Sequence, residues 1–194
     1  MKNILVLDNY DSFTYNLVHI IRELGYGDSL QVHRNDKIDL DGAKEFDHIL
    51  LSPGPGLPKD AGIMPRLIEQ LGPARNVLGV CLGHQGIAEV FGASLFNLPK
   101  VFHGVATEIS LTEDRDDIFN GLPKEFTVCR YHSWVVKSGT LPPEFAVTAL
   151  AEESQIMGIK HKKYQIRGLQ FHPESIMTQH GREMINNWLN LKAS

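Results

Sequence analysis

Cysteine is scarce in this chain of 194 residues: Cys81 and Cys129 stand alone, too few for a disulfide framework. The pair fits a reducing, cytoplasmic setting in which a thiol is available for chemistry. Positive charge is not in excess either. Lys and Arg number 19 against 23 Asp and Glu, a net charge of -4, so binding by phosphate neutralisation is excluded and no nucleic-acid partner is expected. Long hydrophobic runs are missing. The apolar runs are strand-length, and Met1-Lys2-Asn3 leads straight into one, so neither a membrane span nor a signal peptide is expected. The nine histidines include no H-x-H or H-E-x-x-H spacing, which leaves no metal site to expect. Repeats, low-complexity segments and linkers are absent too, so residues 1–194 read as a single domain.

What the chain does have is alternation. Ile4-Leu5-Val6-Leu7 reads as a strand buried on both faces, and Phe13, Leu17, Ile20, Ile21 and Leu24 mark a helix ended by Gly25. Strands at Leu30–His33 and His48–Ser52 follow, then the loop Pro53-Gly54-Pro55-Gly56 and a helix over Ile63–Leu71. After Gly92 the helical period disappears. Short β-prone runs take over at Ser94–Leu98, Ala106–Leu111, Phe126–Cys129, Phe145–Leu150, Ile156–Lys160 and Ile166–Phe171, before a final helix over Gln179–Leu191. The expected fold is α/β: an open, mostly parallel sheet with flanking helices, extended by antiparallel strands.

Asn76-Val77-Leu78-Gly79-Val80-Cys81-Leu82-Gly83-His84-Gln85-Gly86 is the centre of the chain. A short apolar strand ends at a cysteine with glycine two residues away on each side, and a helix follows through Ile87, Ala88, Val90 and Phe91. Serine in this setting forms the nucleophile elbow G-x-S-x-G. The glycines let strand and helix pass close behind a strained residue, and the helix N-terminus favours thiolate. By itself the pattern equally describes a buried structural cysteine.

Ligands of open α/β sheets bind beyond the carboxyl ends of the parallel strands, where the loops at Asp8–Ser12, Pro53–Gly56, Cys81 and His172-Pro173-Glu174 would converge. Proline favours extended backbone at the residue before it, and in an extended chain His172 and Glu174 project to one side. The imidazole can serve the thiol as base, with the carboxylate fixing its tautomer. In Pro53–Gly56 the prolines stiffen a loop whose amides can face a developing oxyanion, with Gly56 N–H and Leu82 N–H as donors. Gln85 can touch substrate, and Arg130-Tyr131-His132-Ser133-Trp134 can supply binding groups. His84, His103, His161 and Cys129 read as structural.

Cys81, His172, Glu174 and the Pro53–Gly56 loop, in this order, resemble the class I (triad) glutamine amidotransferases. Five stretches narrow the likeness: 8–16 (Asp-Asn-Tyr-Asp-Ser-Phe-Thr-Tyr-Asn), Ser52–Gly56, Cys81–Gln85, Arg130–Ser133 and Gln170–Ser175 are similar to the amidotransferase subunits of anthranilate and para-aminobenzoate (aminodeoxychorismate) synthases. Two departures are Trp134, where leucine is common, and Val101–Val105 in place of Met-His-Gly-Lys. The resemblance implies a flavodoxin-like fold and a glutaminase with catalytic Cys81, His172 and Glu174. Gly54, Pro55, Gly56, Leu82, Gln85, Ser133 and Trp134 would bind L-glutamine. It implies a heteromer with a chorismate-using synthase subunit, either anthranilate synthase component I in tryptophan biosynthesis or para-aminobenzoate synthase component I, or both. It implies no cofactor in this chain, with Mg2+ expected on the partner. Alternatives are a partner-independent γ-glutamyl hydrolase and a degenerate regulatory subunit; the latter requires loss of a triad member, and all three are present.

Overall fold

A computed structural model describes residues 2–191. The chain runs β1 (Ile4–Asp8), α1 (Thr14–Ile21), β2 (Leu30–Arg34), α2 (Leu40–Ala43), β3 (His48–Leu51), α3 (Met64–Leu71), β4 (Asn76–Val80) and α4 (Leu82–Val90). It continues as β5 (Leu95–Asn97), β6 (Val105–Leu111), β7 (Glu125–Arg130), β8 (Trp134–Val136), β9 (Phe145–Leu150), β10 (Ile156–His161), β11 (Ile166–Leu169) and α5 (Gly181–Leu189). Nine strands form one sheet in the order β2-β1-β3-β4-β11-β10-β9-β6-β7. The first five are parallel and the rest antiparallel.

The β1 residues explain why its run is apolar throughout. Side chains alternate across a strand, so Ile4 and Val6 join the core under α1 and α5, while Leu5 and Leu7 join the core under α3 and α4. Trp188 of α5 is wholly buried on the first face, and Leu67, Ile68 and Ile87 on the second. Burying each such side chain stabilises the fold by about 1.5–3 kcal/mol.

Two features of the sheet position the rim. β11 lies parallel to β4 with Leu169 opposite Val80, so the residues that follow, Gln170 and Cys81, arrive side by side. The antiparallel half curls back. Its last strand, β7, exchanges hydrogen bonds with the segment after β11: His172 N–H to the Cys129 carbonyl (3.0 Å), Cys129 N–H to Thr178 Oγ1 (2.9 Å) and Gln179 N–H to the Thr127 carbonyl (2.9 Å).

Several boundaries differ from the sequence reading. The run 94–98 is β5, which pairs with the unanticipated β8 in a separate two-stranded sheet and does not extend the main one. The four-residue α2, capped by Asp39 Oδ1 on Gly42 N–H (2.8 Å), is too short for a 3.6-residue period to show. β11 stops at Leu169, short of the expected Phe171: Gln170 N–H still reaches the Met157 carbonyl of β10 (3.0 Å), and from His172 the backbone bonds to β7. α5 begins at Gly181, where a Cβ would lie 1.8 Å from the Pro173 carbonyl oxygen.

Gly79 and Gly83 are packed backbone to backbone. A Cβ on Gly79 would meet the Gly83 carbonyl oxygen at 2.5 Å, and one on Gly83 would meet the Leu51 carbonyl oxygen at 2.5 Å. Gly83→Ala should therefore lower unfolding stability by about 1–3 kcal/mol or more, measured by urea denaturation.

Candidate active site

Cys81 occupies the single residue between β4 and α4. Its backbone is held at φ 52°, ψ -98°, a region sparsely populated by residues with a side chain. The strain is held by its surroundings: Cys81 N–H donates to the Leu169 carbonyl (2.8 Å), its carbonyl accepts from Gln85 N–H (3.0 Å), and the flanking glycines let β4 and α4 close behind it. The thiol thus sits at the first turn of α4, beside amides that have no intrahelical acceptor.

His172 and Glu174 meet across the next rim loop. Nδ1 of the imidazole lies 2.6 Å from Glu174 Oε1, with both side chains almost wholly buried. The contact is made in a turn closed by Ser175 N–H to the His172 carbonyl (3.2 Å), whereas the sequence reading expected an extended chain to align the two. The Phe13 and Tyr131 rings stand edge-on to the imidazole, at 6.2 and 5.1 Å between centroids. Burial alone would lower this histidine; interaction with the Cys81 thiol and the Glu174 carboxylate outweighs it and raises the group to about 10. His172 Nε2 makes no hydrogen bond of normal geometry, although the thiol is near enough to act on it. Catalytic hydrogen bonds are often loose before substrate arrives.

The Pro53–Gly56 loop is brought to the thiol through Asn9. Asn9 N–H donates to Ser52 Oγ (2.8 Å) and its Nδ2 to the Ser52 carbonyl (2.8 Å). A Cβ on Gly54 would collide with the Asn9 carbonyl oxygen at 2.6 Å and Leu82 Cδ2 at 2.7 Å, so this loop packs directly on the residue after Cys81. Pro55 and Gly56 are exposed, and Gly56 has φ 76°.

Gln85 is buried, and its Nε2 donates to the Trp134 carbonyl (2.8 Å) and to Gln170 Oε1 (3.3 Å). Ser133, just before β8, and Trp134, its first residue, are half-buried. His84 is fully buried with both ring nitrogens lacking hydrogen bonds of normal geometry; burial lowers it to about 4, so the ring is neutral. Sequence reasoning missed Gln170, whose Nε2 lies 3.8 Å from Cys81 Sγ, and the aromatic wall Phe13; Tyr131, the other wall, lies in the stretch expected to supply binding groups. Gln170 stands two residues before His172, but only the register of β11 against β4 reveals its neighbour. Among the described residues no group of three or more His, Cys, Asp or Glu is arranged to hold a metal, and no helix is long and apolar enough to cross a membrane.

The class-I glutamine amidotransferase family model matches residues 5–191. The chain belongs to that family. It is 46% identical over 188 residues to the aminodeoxychorismate/anthranilate synthase component 2 of Bacillus subtilis (strain 168), covering 96% of this chain and 95% of that one. It is 45% identical over 190 residues to anthranilate synthase component 2 of Cyanophora paradoxa (96% and 98%), and 44% over 189 residues to aminodeoxychorismate synthase component 2 of Klebsiella aerogenes (96% and 99%). Among solved structures, a Thermoplasma acidophilum protein described as a candidate GMP synthase subunit superposes with a TM-score of 0.86 at 32% identity, covering 97% of this amidotransferase and 92% of that chain. A glutamine amidotransferase of Thermotoga maritima shares the fold at a TM-score of 0.76 and 21% identity, covering 89% and 76%.

The raised His172 carries a pH signature. Its folded value lies above the ordinary one of about 6.5, so the stability it contributes is complete below that pH. That contribution is lost as pH rises through about 10. In Glu174→Gln the imidazole should titrate well below its wild-type value, read by NMR of the histidine ring. Urea unfolding of the variant should correspondingly lose part of the wild-type decline between neutral pH and pH 10.

Proposed function

We propose that this amidotransferase is the glutaminase subunit of a chorismate-using synthase, anthranilate synthase being the first choice. The observation that carries the reading is Cys81 strained at the head of α4 with the buried His172–Glu174 pair beside it. The relatives' names supply the partner class. Names of both pathways stand at nearly equal identity, 46, 45 and 44%, so the aminodeoxychorismate pathway is the second reading and the regiochemistry is left to the partner.

In the proposed mechanism Cys81 thiolate attacks the carboxamide carbon of L-glutamine, forming a C–S bond as the carbonyl electrons move to oxygen. Gly56 and Leu82 amides hold that oxyanion; a donor of this kind contributes about 10²–10³ in rate. Collapse breaks the C–N bond, and His172 gives its proton to the departing nitrogen, releasing ammonia. His172 then takes a proton from water, whose oxygen attacks the γ-glutamyl thioester and frees glutamate and thiolate. Glu174 orients the imidazole throughout. Gly54, Pro55, Gln85, Ser133 and Trp134 surround the substrate. This chain supplies no metal or organic cofactor to these steps, and Mg2+ belongs to the partner.

Ammonia lost to water is protonated and useless, which favours release under a docked synthase partner. The rim offers an apolar face for it: Tyr10, Phe13, Tyr15, Ile176 and Met177 are large apolar or aromatic side chains left exposed, Ile176 completely. Phe13 and Ile176 line one cavity of about 290 Å³ with His172 and Glu174, tying that face to the chemistry.

Mixed with a synthase partner, glutamine, chorismate and Mg2+, the protein should yield ortho-aminobenzoate; 4-amino-4-deoxychorismate would assign the second pathway. Cys81→Ala should abolish glutamine-dependent product while free ammonia still supports the partner, and glutamine-dependent turnover by this variant would overturn the mechanism. Tyr15→Ala and Ile176→Asp should each weaken synthase binding by about tenfold or more in titration calorimetry. Unchanged affinity in both would move the interface elsewhere.

A further inference from the structure

Two buried side chains meet at the Trp134 carbonyl from opposite directions: His132 Nδ1 at 3.0 Å and Gln85 Nε2 at 2.8 Å. A carbonyl only accepts, so both nitrogens donate. The other nitrogen of His132, Nε2, lies 3.1 Å from Arg130 Nε. A guanidinium only donates, so His132 Nε2 keeps its lone pair and the ring is the neutral Nδ1–H tautomer. Burial and the Arg130 charge, which lower His132 to about 3, agree with that assignment. On the other side of the carbonyl, Gln85 Nε2 also donates to Gln170 Oε1 at 3.3 Å. That turns Gln170 Nε2 towards Cys81 Sγ, 3.8 Å away. The direction of every link is therefore determined from its two ends, an arginine and a carbonyl.

Arg130 is an expensive way to begin such a chain. It is fully buried, stacked with its guanidinium carbon 3.5 Å from the Phe102 ring centroid and bonded through Nη2 to Gln155 Oε1. Among the described residues no carboxylate forms an ion pair with it, and Nη1 has no hydrogen-bond partner. A desolvated charge with no carboxylate in contact, only Glu152 acting from a distance, is a cost that packing alone does not call for.

We propose that Gln170 is a further catalytic residue, holding the Cys81 thiolate through its carboxamide N–H, and that Arg130 is a positioning residue: it keeps His132 as the Nδ1–H donor that holds the Trp134 carbonyl in place, and that carbonyl in turn orients the Gln85 carboxamide. This rests on the reading of Cys81 as nucleophile and deepens it. A hydrogen bond donated to the charged form favours that form, and Gln170 does so without titrating itself. The same chain pins the Trp134 carbonyl between two donors, and so steadies the loop assigned to glutamine.

The test is the rate at which iodoacetamide alkylates Cys81 across pH, followed by mass spectrometry of the Cys81 peptide, with buried Cys129 as internal control. The titratable groups around the thiol are His172, with Glu174 behind it, and neutral His84, all retained in the variants. Gln170→Leu should move the midpoint of the profile upward by about one unit, slowing alkylation by up to about tenfold at pH values below that midpoint, and Gln170→Glu further still. Arg130→Met and Gln85→Leu should shift it in the same direction, with Arg130→Lys, which keeps a donor, nearer wild type. Circular dichroism and thermal melts establish that each variant folds, and Gln85→Leu carries this arm if Arg130→Met does not. A wild-type profile in folded Gln170→Leu overturns the catalytic role, and a wild-type profile in Gln85→Leu overturns the positioning by Arg130. Alkylation needs neither glutamine nor a partner, so a wild-type protein without glutaminase activity in the presence of a synthase partner would refute the proposed function while leaving this measurement readable.

Discussion

The close approach of β4 to α4 is the constraint on which the rest of the site depends. A cysteine held at φ 52° can persist only where its surroundings over-determine it. Here the surroundings are backbone: the Gly79–Gly83 contact, the seat of Gly83 on Leu51, and the bond from Cys81 N–H to the Leu169 carbonyl. These contacts tie the turn to β3 and β11, the two neighbours of β4 in the sheet. Moving any of the three strands would move the sulfur.

The His172–Glu174 pair is held by a different half of the molecule. His172 belongs to the loop after β11, yet its position comes from β7 at the far end of the sheet order, through the carbonyl of Cys129. Cys129 thus contributes its backbone to the site, while its thiol stays in the core. The antiparallel half is more than an extension of the sheet. By curling back it supplies the strand against which the His172 loop is laid, and Arg130 and His132 at and just past its end.

Much of this was legible from residue order. β1 reads as a strand buried on both faces because it is one, and the parallel core follows from its alternation with helices. The cysteine turn was legible because glycine leaves a trace in sequence wherever backbone must pass close to backbone. The 94–98 run was legible as a strand but not as a separate ribbon, since pairing partners leave no local trace. Gln170 was missed for the same reason, and Arg130, read only within a stretch able to supply binding groups, showed no connection to the thiol. A buried glutamine and a buried arginine look like ordinary polar residues until the register of β11 on β4 brings one to the thiol, and the network from the end of β7 connects the other to it.

By itself, then, the sequence determined the class of fold and the candidates for nucleophile, base and orienter, because each is written in local chemistry: apolar runs with turn signals, glycine spacing about a thiol, a histidine two residues from a carboxylate. Tertiary structure decided how the His172–Glu174 contact is made, through a turn held on β7 in place of an extended strand. It also decided that the thiol has a carboxamide beside it and that an apolar rim surrounds the cavity at His172. These depend on strand order and register, which arise from packing between residues far apart in the chain and which no local pattern encodes.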